Sequence, residues 1–216
     1  PLFDQESRKK ADILKQELAQ LPSVESVSAS RYIAGEPNWN QTVWWEGQEE
    51  SVSMMLIETD AQFLETLEID LLEGDYEALD NNLSNGEIKY LLNEAALEQI
   101  GWIAGLGESF SAYGKKSKGT VSGVVKDFNY RSLHHKVEPC VLVIKESTLP
   151  SQLMIKIKQG NVLSTVPQMK EVFNILAPNT PFEYGFLDED FEKLYVSETR
   201  TSKVVMFLTA IAIVLC

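Results

Sequence analysis

Apolar positions recur along this chain with two periods, and the switches between them mark the elements. In "DQESRKKADILKQELAQLP", Ala11, Leu14, Leu18 and Leu21 fall three or four residues apart, which predicts an amphipathic helix stopped by Pro22. "SVESVSASRYI" then alternates Val24 and Val27 with small polar residues, while "QTVWWEG" and "ESVSMMLIE" bracket the turn-like "GQEE". Three strands, with a hairpin among them, follow from that alternation and its β-branched and aromatic content. "TDAQFLETLEI" predicts a short helix with Thr59 or Asp60 as N-cap ahead of Phe63, Leu64 and Leu67, giving way to "IDLLEGDY".

From Gly74 the texture changes. "LDNNLSNGE" is a cluster of turn residues, and "IKYLLNEAALEQIGW" reads as a strand running straight into a helix capped by Asn93 and ended by Gly101. "GESFSAYGKKSKGTVSGVVKDF" predicts a hairpin, and "EPCVLVIK" and "SQLMIKIKQG" two further strands, in a mostly antiparallel or mixed sheet. After Asn161, the spacing of Val166, Met169, Phe173 and Leu176 predicts a helix that "APNTP" breaks, and "FEYGF" is expected as a short strand.

Between Asp188 and Cys216 there is no Gly or Pro, so one unbroken helix of about 43 Å is expected, acidic at its start and apolar at its end. Arg200 and Lys203 stand just before the run "VVMFLTAIAIVLC", where long basic side chains reach lipid headgroups. That run, 204–216, covers about 20 Å as a helix, against about 30 Å for a bilayer core. The chain opens at Pro1 without an initiator Met or an apolar leader. The expectation is a piece excised from a longer polypeptide, with a domain continuous with a truncated membrane span.

With 216 residues and 44% hydrophobic content, the chain suits one medium domain or two small subdomains. Its net charge of -13 argues against nucleic acid or anionic lipid as the main partner, since both require clustered Lys and Arg. Lys115, Lys116 and Lys118 lie between glycines and read as a solvated turn. The two cysteines, Cys140 in an apolar strand and Cys216 in the apolar tail, build neither a disulfide framework nor a thiolate metal site.

Sequence motifs for chemistry fail on spacing. Six residues separate Gly107 from Gly114 where a phosphate-binding loop has four, and Lys115 is followed by Lys116 instead of Ser or Thr. Counted from Asp80, the calcium-loop pattern reaches Leu91 where a bidentate Glu is required. His134 and His135, the two histidines, are adjacent and diverge on either regular backbone, so they do not grip one metal. Ser122 is one place from the nucleophile-elbow position and lies inside a strand. No catalytic residue, cofactor site or metal site is expected. What remains is aromatic: Trp39, Trp44 and Trp45 lie within seven positions, and on a strand the last two face opposite ways. Core burial is the ordinary use of such residues. Partner docking is the alternative, tested by changing Trp39 and the outward Trp to Ser and measuring assembly and transport.

"LLNEAALEQIGW", "GTVSGVVKDFNYRSLHHKVEP" and "FEYGFLDEDFEKLYVSETRTSKVV" together resemble the extracytoplasmic domain of MacB/FtsX-type ABC transporter permeases, particularly the forms found in Bacteroidetes. The resemblance implies an α+β fold of mixed, mostly antiparallel sheets with packed helices. It implies a porter-like subdomain at 1–72 and 147–195, an inserted Sabre-like subdomain at 73–146, and a stalk at 196–216 that begins a transmembrane helix. It also implies a place on the extracytoplasmic, periplasmic side of the bacterial inner membrane. The implied partners are a cytoplasmic ABC ATPase subunit, a second permease copy, a periplasmic partner protein, and the membrane itself through the C-terminal helix. A domain of this kind is not an enzyme; it passes motion driven by ATP hydrolysis to the outside. Two other readings stay open: a sensor or interaction domain of a membrane signalling protein, and a membrane-tethered hydrolase. Further spans and a neighbouring ATPase distinguish the first from a permease, and turnover by the purified domain would revive the second.

Overall fold

The computed structural model describes residues 5–31, 40–48, 52–80, 87–114, 118–129, 136–145 and 150–187. In chain order the elements are α1 (Gln5–Ala19), β1 (Val24–Ser30), β2 (Asn40–Trp45), β3 (Val52–Thr59), α2 (Gln62–Thr66), β4 (Leu71–Gly74), α3 (Tyr76–Asp80), β5 (Ile88–Asn93), α4 (Glu94–Ile100), β6 (Ser109–Ser111), β7 (Gly119–Val125), β8 (Cys140–Lys145), β9 (Gln152–Ile157) and α5 (Val162–Leu176). The fold is mixed α+β, with antiparallel ladders and two parallel ones, β3–β8 and β5–β7.

Six of the strands close on themselves. β2 pairs β3, β3 pairs β8, β8 pairs β5, β5 pairs β7, β7 pairs β6, and β6 returns to β2 through Trp44–Ser111 and Trp45–Phe110. A closed ring of this size is filled by side chains. Every ring strand sends residues into one core: Val43, Met54, Leu56, Tyr90, Leu92, Phe110, Val121, Val124, Val141 and Val143, with Ala96 and Leu97 of α4. Tyr90 and Phe110 meet edge to face inside it, their ring centres 5.1 Å apart. Gly119 is required at the start of β7, because a Cβ there would run into the Ile88 carbonyl oxygen of the neighbouring β5. The outward positions Met55, Ile57, Leu142 and Ile144 are buried as well, so β3 and β8 are covered on both faces.

Two strands extend this ring at one place and one at another. β1 meets β3 at Ser30–Thr59, β9 lies along β1, and β4 pairs with β7. α1 and α5 build a separate core over the β1–β9 pair, from Leu14, Leu18, Val24, Val27 and Met169, with Leu153, Ile155, Val172 and Phe173 packed on it. The ring draws β2 and β3 from the interval 1–72 and β5 to β8 from 73–146. Residues 129, 136 and 183–187 fall in a second compact unit, in which Tyr184 and Phe186 meet edge to face at 5.7 Å.

Two expectations are corrected. α2 follows Ala61 with no side-chain cap; the Asp60 carboxylate instead takes bonds from Lys15 Nζ (2.6 Å), Ser28 Oγ (2.7 Å) and the Ala29 N–H (2.7 Å). Three donors converging from α1 and β1 outcompete a single turn of helix for that carboxylate. The "FEYGF" segment forms no ladder, and Phe182 packs edge to face on Phe173 of α5 at 5.4 Å. The helix expected from Asp188 into the membrane lies outside the described residues; among those described, no helix is long and apolar enough to cross a membrane.

Candidate interaction surface

The two ends of the ring are chemically unlike. Inward positions on β3 run Met54, Leu56, Glu58, and on β8 Val141, Val143, Lys145, so both strands deliver a charge to the same mouth. Glu58 is 1% exposed; its carboxylate accepts from Tyr113 Oη at 2.6 Å and Lys145 Nζ at 2.8 Å and lies 3.6 Å from Arg31. The Lys145 ammonium also sits 3.9 Å over the Tyr113 ring. Burial, and then the hydrogen bond to the Glu58 carboxylate, push the Tyr113 phenol far above the usual tyrosine range. A buried carboxylate with two cations and a phenol around it is a satisfied ionic cluster that closes the mouth.

At the opposite end α4 plugs the ring. Asn93, at the junction of β5 and α4, accepts from the Ala96 N–H (3.0 Å) as N-cap and from the Cys140 N–H (2.8 Å), and donates to Asp127 (2.8 Å) and the Glu138 carbonyl (3.1 Å). Asp127 in turn accepts from the Ala95 N–H, while its own N–H donates to Glu94. α4 ends as expected at Gly101, in the left-handed region at φ 82°. Beyond it the chain makes an apolar turn, Trp102 to Gly107, beside the end of β2.

The tryptophans meet here. Val43 and Trp45 face the ring core, and Trp45 lies edge to face with Trp102, ring centres 6.3 Å apart. Trp44 takes the outer face of β2 and is half-buried, as strand alternation requires. Trp39 lies outside the described residues, as do His134, His135, Lys115 and Lys116. Ser122 is held in β7 with its hydroxyl donating to the Thr120 carbonyl at 3.3 Å. Cys140 is buried and its thiol is pushed well up by burial and then by the charge of Asp127. Among the described residues no group of His, Cys, Asp and Glu is arranged to hold a metal. Sequence reasoning missed Trp102, Ile103 and Leu106, although the run "GWIAGLG", apolar between glycines, carried the signal.

No family model matches the chain, and no curated protein matches it. Solved structures do. The periplasmic region of MacB from Actinobacillus actinomycetemcomitans is 15% identical with a TM-score of 0.53, covering 76% of this chain and 73% of that one. The extracellular domain of the noncanonic ABC-type transporter YknZ from Gram-positive bacteria is 15% identical with a TM-score of 0.56, covering 78% and 84%. A domain of a permease protein from Porphyromonas gingivalis is 16% identical with a TM-score of 0.51, covering 78% and 82%. At such identities the likeness is one of fold: this chain has the mixed α+β fold of the MacB periplasmic domain.

Proposed function

We propose that this chain is the extracytoplasmic domain of an ABC transporter permease of the MacB/FtsX kind. The likeness of fold to three such transporter and permease domains, over more than three quarters of the chain in each case, is the observation that carries the reading. On this proposal a porter-like part and an inserted Sabre-like part stand outside the bacterial inner membrane. Residues 196–216 form the stalk and the start of a membrane span. A cytoplasmic ATPase subunit supplies the energy, a second permease copy completes the machine, and the domain itself catalyses nothing.

The mechanism follows from the sequence after Asp188. A helix without Gly or Pro has no ready hinge, so tilting its cytoplasmic end must displace the domain at its other end. Inserting Gly-Gly-Ser beside Ser202 in the full-length protein should leave ATP hydrolysis running while transport stops. Transport at the wild-type rate would refute the lever.

A further inference from the structure

We infer that the turn Trp102 to Gly107 is a docking knob for a partner protein presenting an apolar socket with a basic rim. Its tip is bare hydrocarbon: Ile103 is 100% exposed and Leu106 51%. Exposed aliphatic residues are ordinary when they sit singly on mobile loops, but this pair is held in place. The Trp102 N–H donates to the Leu97 carbonyl (3.1 Å), the Glu108 N–H to Gly105 (3.2 Å) and the Gly107 N–H to Val121 (2.8 Å). Gly105 is seated so closely that a Cβ would lie 2.8 Å from Leu97 Cδ2. A tip fixed before contact loses little further freedom on binding. Behind it stand Trp45 and Trp102, half-buried and edge to face, the residue type that most often anchors an interface.

Charge selects the occupant. Glu98 precedes the turn, Glu108 follows it and Glu46 adjoins Trp45; all three are exposed. Neither 40–48 nor 90–114, the segments that carry Trp45, Trp102 and the turn itself, contains a Lys, Arg or His; Lys126, at the end of β7, pairs with Asp70. An acidic rim repels anionic lipid, and it repels the same face of a second copy, where carboxylates would meet carboxylates. Lys and Arg around an apolar socket complement it. The inference does not rest on the transport reading, because a sensor domain could dock through the same knob.

The test places p-benzoylphenylalanine at position 103 of the intact protein in its own cells, followed by irradiation and identification of the adduct. The expected adduct is to another protein, within an apolar depression flanked by Lys or Arg. With that protein purified, Ile103→Ser should weaken binding about tenfold or more, as loss of one buried aliphatic side chain implies. Combining Glu46→Gln, Glu98→Gln and Glu108→Gln should remove most of the salt dependence of binding. These positions are exposed, so thermal midpoints should stay within about 2 °C of wild type and folding does not confound the result. Adducts to a second copy alone, to lipid alone or to nothing would overturn the inference, as would a partner whose affinity ignores the three glutamates. Failure of the hinge insertion leaves these outcomes untouched.

Discussion

Asn93→Ala removes the residue on which one end of the ring is assembled. Its side chain makes four hydrogen bonds, to Ala96, Cys140, Asp127 and Glu138, and is fully buried. Loss of the N-cap costs about 1 kcal/mol, and leaving the buried Cys140 N–H without an acceptor costs about 2 kcal/mol more. The predicted loss is about 3 kcal/mol, a large part of the roughly 5–15 kcal/mol that holds a domain folded. Equilibrium urea unfolding followed by far-ultraviolet circular dichroism should show the midpoint falling by about 1.5 M if the slope is about 2 kcal/mol/M and unchanged. Asp127→Ala provides the control: Asp127 is exposed, water replaces its bonds to Asn93 and Ala95, and a loss of about 1 kcal/mol or less is expected. A midpoint shift below about 0.5 M for Asn93→Ala, or equal shifts for the two variants, would refute the assignment of Asn93 as the buried tie between α4 and β8.

Glu58→Ala should destabilise by about 3–5 kcal/mol, because it leaves Lys145 largely buried without its counter-ion; urea unfolding measures it, and Lys145→Met added to it should recover part of the loss. Tyr113 and Tyr90 have folded-state pKa values raised above the unfolded value of about 10. The unfolded chain therefore loses these phenolic protons first, so their contribution is intact below pH about 10 and stability falls above it; absorbance at alkaline pH should show Tyr113 ionising only on unfolding and Tyr90 ionising later than a free tyrosine. Cys140, buried with a raised pKa, should resist alkylation at pH 8 in the folded chain and react once urea is added, as peptide mass mapping will show.

The local elements could be read because their signals are local. The apolar stripe of α1, the Asn93 cap and Gly101 stop of α4, the β2–β3 and β6–β7 hairpins and the Met169–Phe173–Leu176 spacing of α5 are each contained in fewer than about twenty residues. Asp60 was misread because its partners, Lys15, Ser28 and Ala29, are at least 31 positions away and a capping signature cannot register them. Phe182 was misread for a related reason: an aromatic alternation around Pro181 looks like a strand, but α5 supplies a ring, Phe173, for it to lie against. The tryptophan cluster was visible as composition, whereas its division into Trp45 packed on Trp102 and Trp44 on the outer face required the register of β2.

Ring closure is the feature that no stretch of sequence announces, because it depends on β2 pairing with β3 along one half and with β6 along the other. Once the ring is known, alternation acquires a new meaning. Met54, Leu56 and Glu58 share one parity on β3, and so do Val141, Val143 and Lys145 on β8; the parallel ladder sets the two series side by side. A charge on an inward parity is intolerable in the middle of a filled barrel and acceptable at its rim, where a counter-charge from the neighbouring strand meets it. Glu58 and Lys145, 87 positions apart and 2.8 Å from each other, thus mark the level at which the apolar filling stops. The same reasoning assigns the other rim: β5 ends its inward series at Leu92 and hands over to Asn93 and α4, so that end is sealed by Ala96 and Leu97. On the proposed lever, a ring with both ends closed and no edge within it is carried as one body, and the apolar turn following α4 is carried with it.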